Sequence, residues 1–140
     1  MKKKLIICAA VFVGLIALIC VGNALMGHWL NADQVEKATF QGVNSCDGPV
    51  SDTVGVTDGE IGWTAAFFNL SLYAGDCLSE GCDTEFGFTL YMKDGTRFGI
   101  REAGSPRIQV MPPGEKSYWI YNPLLALYAK ILIAKYDLKV

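Results

Sequence analysis

Between residues 86 and 110 apolar side chains alternate with polar or small ones, the period of a β-strand with one buried face. Phe86, Phe88, Leu90 and Met92 lead into Lys93-Asp94-Gly95, and Phe98 and Ile100 come after it, so the stretch predicts a hairpin. A two-residue Asp94-Gly95 loop would pair Lys93 with Thr96 and set Phe88, Leu90 and Met92 on the face opposite Phe98 and Ile100. A slip of one residue turns a whole strand over, so that register wastes the apolar face. A three-residue loop with Gly95 left-handed pairs Met92 with Thr96, Leu90 with Phe98 and Phe88 with Ile100. This second register is expected. It gathers six apolar residues on one face and leaves Tyr91, Arg97 and Arg101 on the other. After a turn at residues 104–106, Ile108 and Val110 extend the apolar face, with Arg107 and Gln109 on the polar side.

The same alternation and turn rules place the other elements. Residues 38–43 predict a brief strand, and the Ser-, Gly-, Asp- and Pro-rich residues 44–52 a loop. Thr57-Asp58-Gly59-Glu60 has the form of a capping box and opens a helix. Its stripes are Ile61, Ala65, Phe68 and Leu72, then Trp63, Phe67 and Leu70, with a stop expected at Ala74-Gly75. Asn69-Leu70-Ser71 fits a glycosylation sequon, but on a helix read as buried its use is not expected. Residues 117–121 predict a further strand. Asn122-Pro123 starts a second helix whose apolar arc is Leu124, Leu127, Tyr128, Ile131, Leu132 and Ala134. The expected fold is α+β: an antiparallel four- to five-stranded β-meander with two helices packed on one face.

The N-terminus adds a separate element. Lys2, Lys3 and Lys4 precede residues 5–27, a run of 23 without a charge. About 20 apolar residues cross a bilayer, and lysines on the near side place the remainder of the chain outside. The chain therefore divides into residues 1–27, a transmembrane anchor or signal peptide, a juxtamembrane linker at 28–37, and an extracytoplasmic domain at 38–140. Trp29 suits the headgroup boundary. A cleaved signal with Gly22-Asn23-Ala24 at the cut, or a lipoprotein signal ending at Cys20, would serve instead. All three readings put the domain beyond a membrane: single-pass with its C-terminal part outside, or secreted if the signal is cut.

That compartment favours disulfides. Of Cys46, Cys77 and Cys82, the last two flank a short turn and close the smallest loop, so Cys77–Cys82 is the expected bridge. A bridge from Cys46 to either, or buried thiols, are the alternatives. Charge is strongly divided. Residues 28–85 carry ten acids against Lys37 alone, a net of −9, whereas residues 86–140 carry eight bases against four acids, a net of +4. The acidic balance beyond the leader argues against a nucleic-acid partner.

Candidate chemistry is sparse. The one histidine, His28, lies at the membrane boundary, so a Ser/His/Asp or Cys/His arrangement is not expected, nor is a zinc site with paired ligand spacing. Residues 76–85 are acidic, but Leu78 and Gly87 occupy positions where a calcium loop needs oxygen ligands. No metal, cofactor or catalytic role is assigned. The most specific surface is the polar sheet face: Arg97, Arg101 and Arg107 with Tyr91, Trp119 and Tyr121, residue types enriched at binding hot spots. The competing reading is that these arginines pair with the acidic half or keep the sheet soluble.

The order of capped helix, Phe-x-Leu-Tyr-Met-Lys-Asp-Gly hairpin, strands ending in Tyr-Trp-Ile-Tyr and a C-terminal helix resembles, over residues 57–137, small uncharacterised extracytoplasmic domains of Gram-positive bacterial membrane-anchored and lipoprotein-type proteins. The resemblance implies compartment and an α+β meander, and carries over no site residues. A type IV pilin-like reading fails because Lys2-Lys3-Lys4-Leu5 lacks the glycine before the apolar run and the glutamate soon after it. The function expected is a membrane-tethered, non-catalytic interaction module binding a protein or cell-envelope ligand. The alternative is a secreted inhibitor or immunity protein blocking a toxin or hydrolase.

Overall fold

A computed structural model of the chain describes residues 1–42, 52–77, 86–102 and 106–138. In chain order the elements are α1 (Lys2–Leu25), β1 (Val35–Gln41), β2 (Thr53–Val56), α2 (Asp58–Phe68), β3 (Leu72–Asp76), β4 (Gly87–Met92), β5 (Arg97–Glu102), β6 (Arg107–Met111), β7 (Tyr118–Tyr121) and α3 (Pro123–Lys135), with a 3-10 turn at Ala32–Gln34. The strands form one antiparallel sheet in the order β2-β1-β4-β5-β6-β7-β3. The fold is α+β, with more strands than the four or five expected from the sequence. It is also not a simple meander, because β2 and β3 add to opposite edges.

The central hairpin takes the three-residue register. Leu90 pairs with Phe98 and Phe88 with Ile100, the Met92 amide donates to the Thr96 carbonyl at 2.9 Å, and Gly95 has φ +86°. A row of inward side chains, Phe40, Phe88, Ile100, Val110 and Tyr118, then crosses five strands. The first four of these are at most 1% exposed, so the row is the floor of the core. Burying each such side chain contributes about 1.5–3 kcal/mol relative to leaving it in water.

Helices α2 and α3 cover this floor. Thr57 caps α2 as expected: its hydroxyl accepts from the Glu60 amide at 3.3 Å, while Glu60 accepts from the Thr57 amide at 2.8 Å. The first bond is long, so Thr57→Ala should lower the unfolding free energy by only about 0.5–1 kcal/mol. Urea unfolding of the full chain in detergent checks this.

Two expectations about the helices are corrected. Helix α2 ends at Phe68 rather than near Ala74, and residues 72–76 are strand β3. The extended pairing of Leu72 with Tyr121 and Tyr73 with Ile120 outweighs the helical spacing of Leu72 behind Phe68. On α3 the buried side chains are Leu125, Ala126, Ala129 and Leu132, while Leu124, Leu127 and Ile131 from the expected arc are exposed. This helix is apolar nearly all round, so periodicity could not fix its rotation. Asn122 does: its side chain accepts from the Leu125 amide at 2.8 Å and donates to the Phe67 carbonyl at 2.7 Å and the Ser71 hydroxyl at 2.8 Å. The two alanines then face the floor, where small side chains permit close approach.

At the far end of the helix pair, Glu60 accepts from Lys135 and from the Tyr136 hydroxyl, both at 2.6 Å. Burial alone would raise this carboxyl. The bonds from Lys135, Tyr136 and Thr57 outweigh burial and hold it at about 2, below its ordinary 4.5.

Helix α1 does not lead into a free linker. It closes with a Schellman turn: the Gly27 amide donates to the Ala24 carbonyl and the His28 amide to that of Asn23, with Gly27 at φ +72°. The chain folds back, and Leu30 is buried in the core at 3% exposed. Asn23, also buried, donates to the carbonyls of Asn69 and Ser71, both at 2.9 Å. Asn69 accepts from the Leu30 amide at 2.8 Å and donates to the Leu30 carbonyl at 2.9 Å, replacing the strand partner that this segment lacks. The Asn69 side chain of the sequon is thus enclosed by the fold. Residues 35–37, expected from the sequence to be linker, are the start of β1.

Candidate functional site

Strand alternation fixes which side chains reach the sheet's outer face, the one away from α2 and α3. Three outward rows carry the sequence-selected residues. Lys37, Tyr91 and Arg97 form the row nearest the hairpin turn. Gln41, Gly87, Arg101, Gln109 and Trp119 form the next such row. Arg107, Tyr121 and Leu72 lie at the opposite end. Between the first two is a row of Thr39, Thr89, Gly99 and Met111. The Met111 side chain lies across Gly99, where a Cβ would meet it at 2.6 Å.

Among the described residues these rows contain four cations and no carboxylate. The Arg97 guanidinium sits 5.4 Å from the centre of the Tyr91 ring, and the Lys37 ammonium lies 5.0 Å from the same ring. The Arg107 guanidinium lies 4.2 Å from the centre of the Trp119 ring. Cation–π contacts of this kind contribute about 0.5–1 kcal/mol at exposed sites and hold long side chains in place. The six expected residues therefore resolve into an Arg97–Tyr91 cluster and an Arg107–Trp119 cluster, with Tyr121 opposite Arg107 and Arg101 between the two. Arg97, Arg107 and Tyr121 are exposed, and Tyr91, Arg101 and Trp119 are half-buried. Gln109 is buried on this face and donates to the Cys77 sulfur at 3.3 Å.

Sequence reasoning missed Lys37, because it starts the first strand at residue 38. The signal was present, since Lys37, Thr39 and Gln41 alternate with Ala38 and Phe40. The expected Cys77–Cys82 bridge involves Cys82, which lies outside the described residues, as does Cys46. No disulfide joins two described residues. Most of the acidic stretch at 76–85 also lies outside them, and among the described residues no three metal-ligating side chains converge.

Two other features bear on chemistry. His28 stacks on Tyr118 with ring centres 4.3 Å apart and packs against Tyr73 at 5.0 Å, so its half-buried imidazole is engaged with rings of β3 and β7. On the helix side of the sheet a groove of about 470 Å³ is lined by residues including Asp33, Glu36, Asp58 and Lys93. Its three acidic residues are exposed. Helix α1 is long and apolar enough to cross a membrane. Compared with known proteins, the chain matches no family model, no curated protein and no solved structure.

Proposed function

We propose that the protein is a membrane-tethered, extracytoplasmic, non-catalytic interaction module that captures an anionic ligand on the outer face of its sheet. The observation that carries this reading is the charge of that face. A chain with a net charge of −2 presents Lys37, Arg97, Arg101 and Arg107 in its outward rows, with no carboxylate among the described residues of those rows. Two of the arginines are braced on aromatic rings, which reduces the side-chain ordering needed on binding. The packing of the one histidine between two tyrosines supports a role without nucleophilic or acid–base catalysis.

The tether is read as retained. A cut after Ala24 would remove Asn23, which makes two buried hydrogen bonds to the body of the domain. Such bonds are worth about 0.5–1.5 kcal/mol each, so the folded domain and its anchor stabilise one another.

The double variant Arg97→Ala/Arg101→Ala tests the surface. Poly-L-glutamate is the probe, titrated into the full chain in neutral detergent at low salt. Loss of two charge contacts of about 0.5–1 kcal/mol each should weaken binding roughly five- to thirtyfold, with the melting temperature unchanged. Binding equal to wild type rejects the surface. A fall in melting temperature without a change in affinity assigns the arginines to stability instead.

A further inference from the structure

We propose that the end of the domain where α1 emerges is seated in the lipid, with Leu72, Tyr121, Leu124 and Leu127 forming an apolar collar beside the span. This rests on reading α1 as a retained membrane helix.

The first observation is on α1 itself. Ile16, Ile19 and Cys20 are half-buried and Asn23 is buried, whereas Ala17, Leu18, Val21 and Ala24 between and after them are exposed. The spacing i, i+3, i+4, i+7 is one side of a helix. The domain therefore flanks α1 from Ile16 to Asn23, seven steps of 1.5 Å or about 10 Å. A span of about 20 residues counted from Leu5 ends near Ala24, so the flanked stretch belongs to the outer part of the hydrocarbon layer. Any domain surface beside it faces lipid rather than water.

The second observation is what that surface is made of. Asn23 donates to the Ser71 carbonyl, and the Ser71 hydroxyl accepts from Asn122, so the start of β3 adjoins the end of α1 and the start of α3 adjoins β3 at the same point. The side chains that leave this junction are Leu72, 51% exposed, Leu124, 47%, and Leu127, 58%, with Tyr121 at 49%. Along these two segments the first charges are Asp76 and Lys130, and on the neighbouring strand the exposed Arg107 lies opposite Tyr121, where a cation meets the headgroups. Three outward leucines bordered by a tyrosine have no partner in water among the described residues. Placed beside a bilayer span they match the acyl boundary, with Tyr121 at the headgroup level that suits an amphipathic ring. The occupant is the membrane that α1 already crosses, because the collar is continuous with the span.

The test places a ketone-bearing amino acid, coupled to a nitroxide, singly at Leu72, Leu124, Leu15 and Asp94 of the full chain, leaving the five cysteines untouched. The protein is reconstituted in phosphatidylcholine/phosphatidylglycerol vesicles. Collision with oxygen, which concentrates in lipid, is compared with collision with a water-soluble nickel chelate. Oxygen should dominate at positions 72, 124 and 15, and nickel at 94. Nickel dominance at 72 and 124, with 15 still in lipid, overturns the collar and leaves the tether standing. An aqueous label at 15 overturns the tether and the collar with it. Labels at 72 and 124 shielded from both reagents and broadened by one another would identify a second copy as the occupant, which also overturns the proposal.

Discussion

Replacing Asn69 with leucine should lower the unfolding free energy by about 3–5 kcal/mol. The Asn69 amide satisfies both backbone groups of Leu30, at 2.8 and 2.9 Å, where the chain returning from α1 is buried and has no strand beside it. Leucine has a similar volume but can satisfy neither group. A buried donor or acceptor left unpaired costs about 1–3 kcal/mol, and here there are two. Asn69→Asp separates the two bonds: the acceptor for the Leu30 amide survives, but a carboxylate oxygen then faces the Leu30 carbonyl. It should cost nearly as much. Urea unfolding of the full chain in detergent measures both variants, and amide exchange at Leu30 should accelerate in the leucine variant. A change below about 1 kcal/mol would show that the segment finds other partners.

Acid should remove a second large contribution at one carboxyl. Glu60 is held at about 2 against an ordinary 4.5, so the folded state binds a proton there less readily than the unfolded chain does. The stabilisation is therefore fully present above about pH 4.5 and is lost as the pH falls from there through about 2. A shift of that size corresponds to roughly 3 kcal/mol, and because Lys135 is more than half exposed, solvent screening reduces it to about 2–3 kcal/mol. Glu60→Gln keeps an acceptor for the Thr57 amide and abolishes the charge. Wild type should exceed this variant by that amount at pH 6, and the two unfolding free energies should converge toward pH 2. Parallel curves across that range would place the acid sensitivity elsewhere.

The parts of the fold that could be read from the sequence are those where a short-range rule acts alone. The hairpin register came from parity, since only one loop length puts Phe88 and Ile100 on the same side, and the structure pairs them. The Thr57 cap and the Asn122-Pro123 helix start came from side-chain reach. What failed was decided by tertiary contacts. The end of α2 depends on β3 finding β7 as a partner, and the rotation of α3 on Asn122 reaching Phe67 and Ser71. The candidate face was legible as residue types because alternation assigns each arginine to a side. The juxtaposition of Tyr91 and Arg97 follows from the hairpin register and was legible too, whereas the Arg107–Trp119 pairing was not, since it depends on strand order. Asn23 and Asn69 were the least visible. Lone amides at the end of an apolar run and just past a helix signal buried polar bonding, but nothing local names their partners.

The absence of slack between α1 and the sheet changes how the molecule would respond to load. A domain hung on a flexible leash turns freely, and a bound object can drift without disturbing its anchor. Here the Schellman turn at Gly27 and the asparagine bonds to Asn69 and Ser71 make the junction a stiff elbow. On the proposed reading of α1 as a membrane span, a sideways pull on the arginine face acts as a lever and tilts α1, so that traction on the domain becomes a change of helix angle.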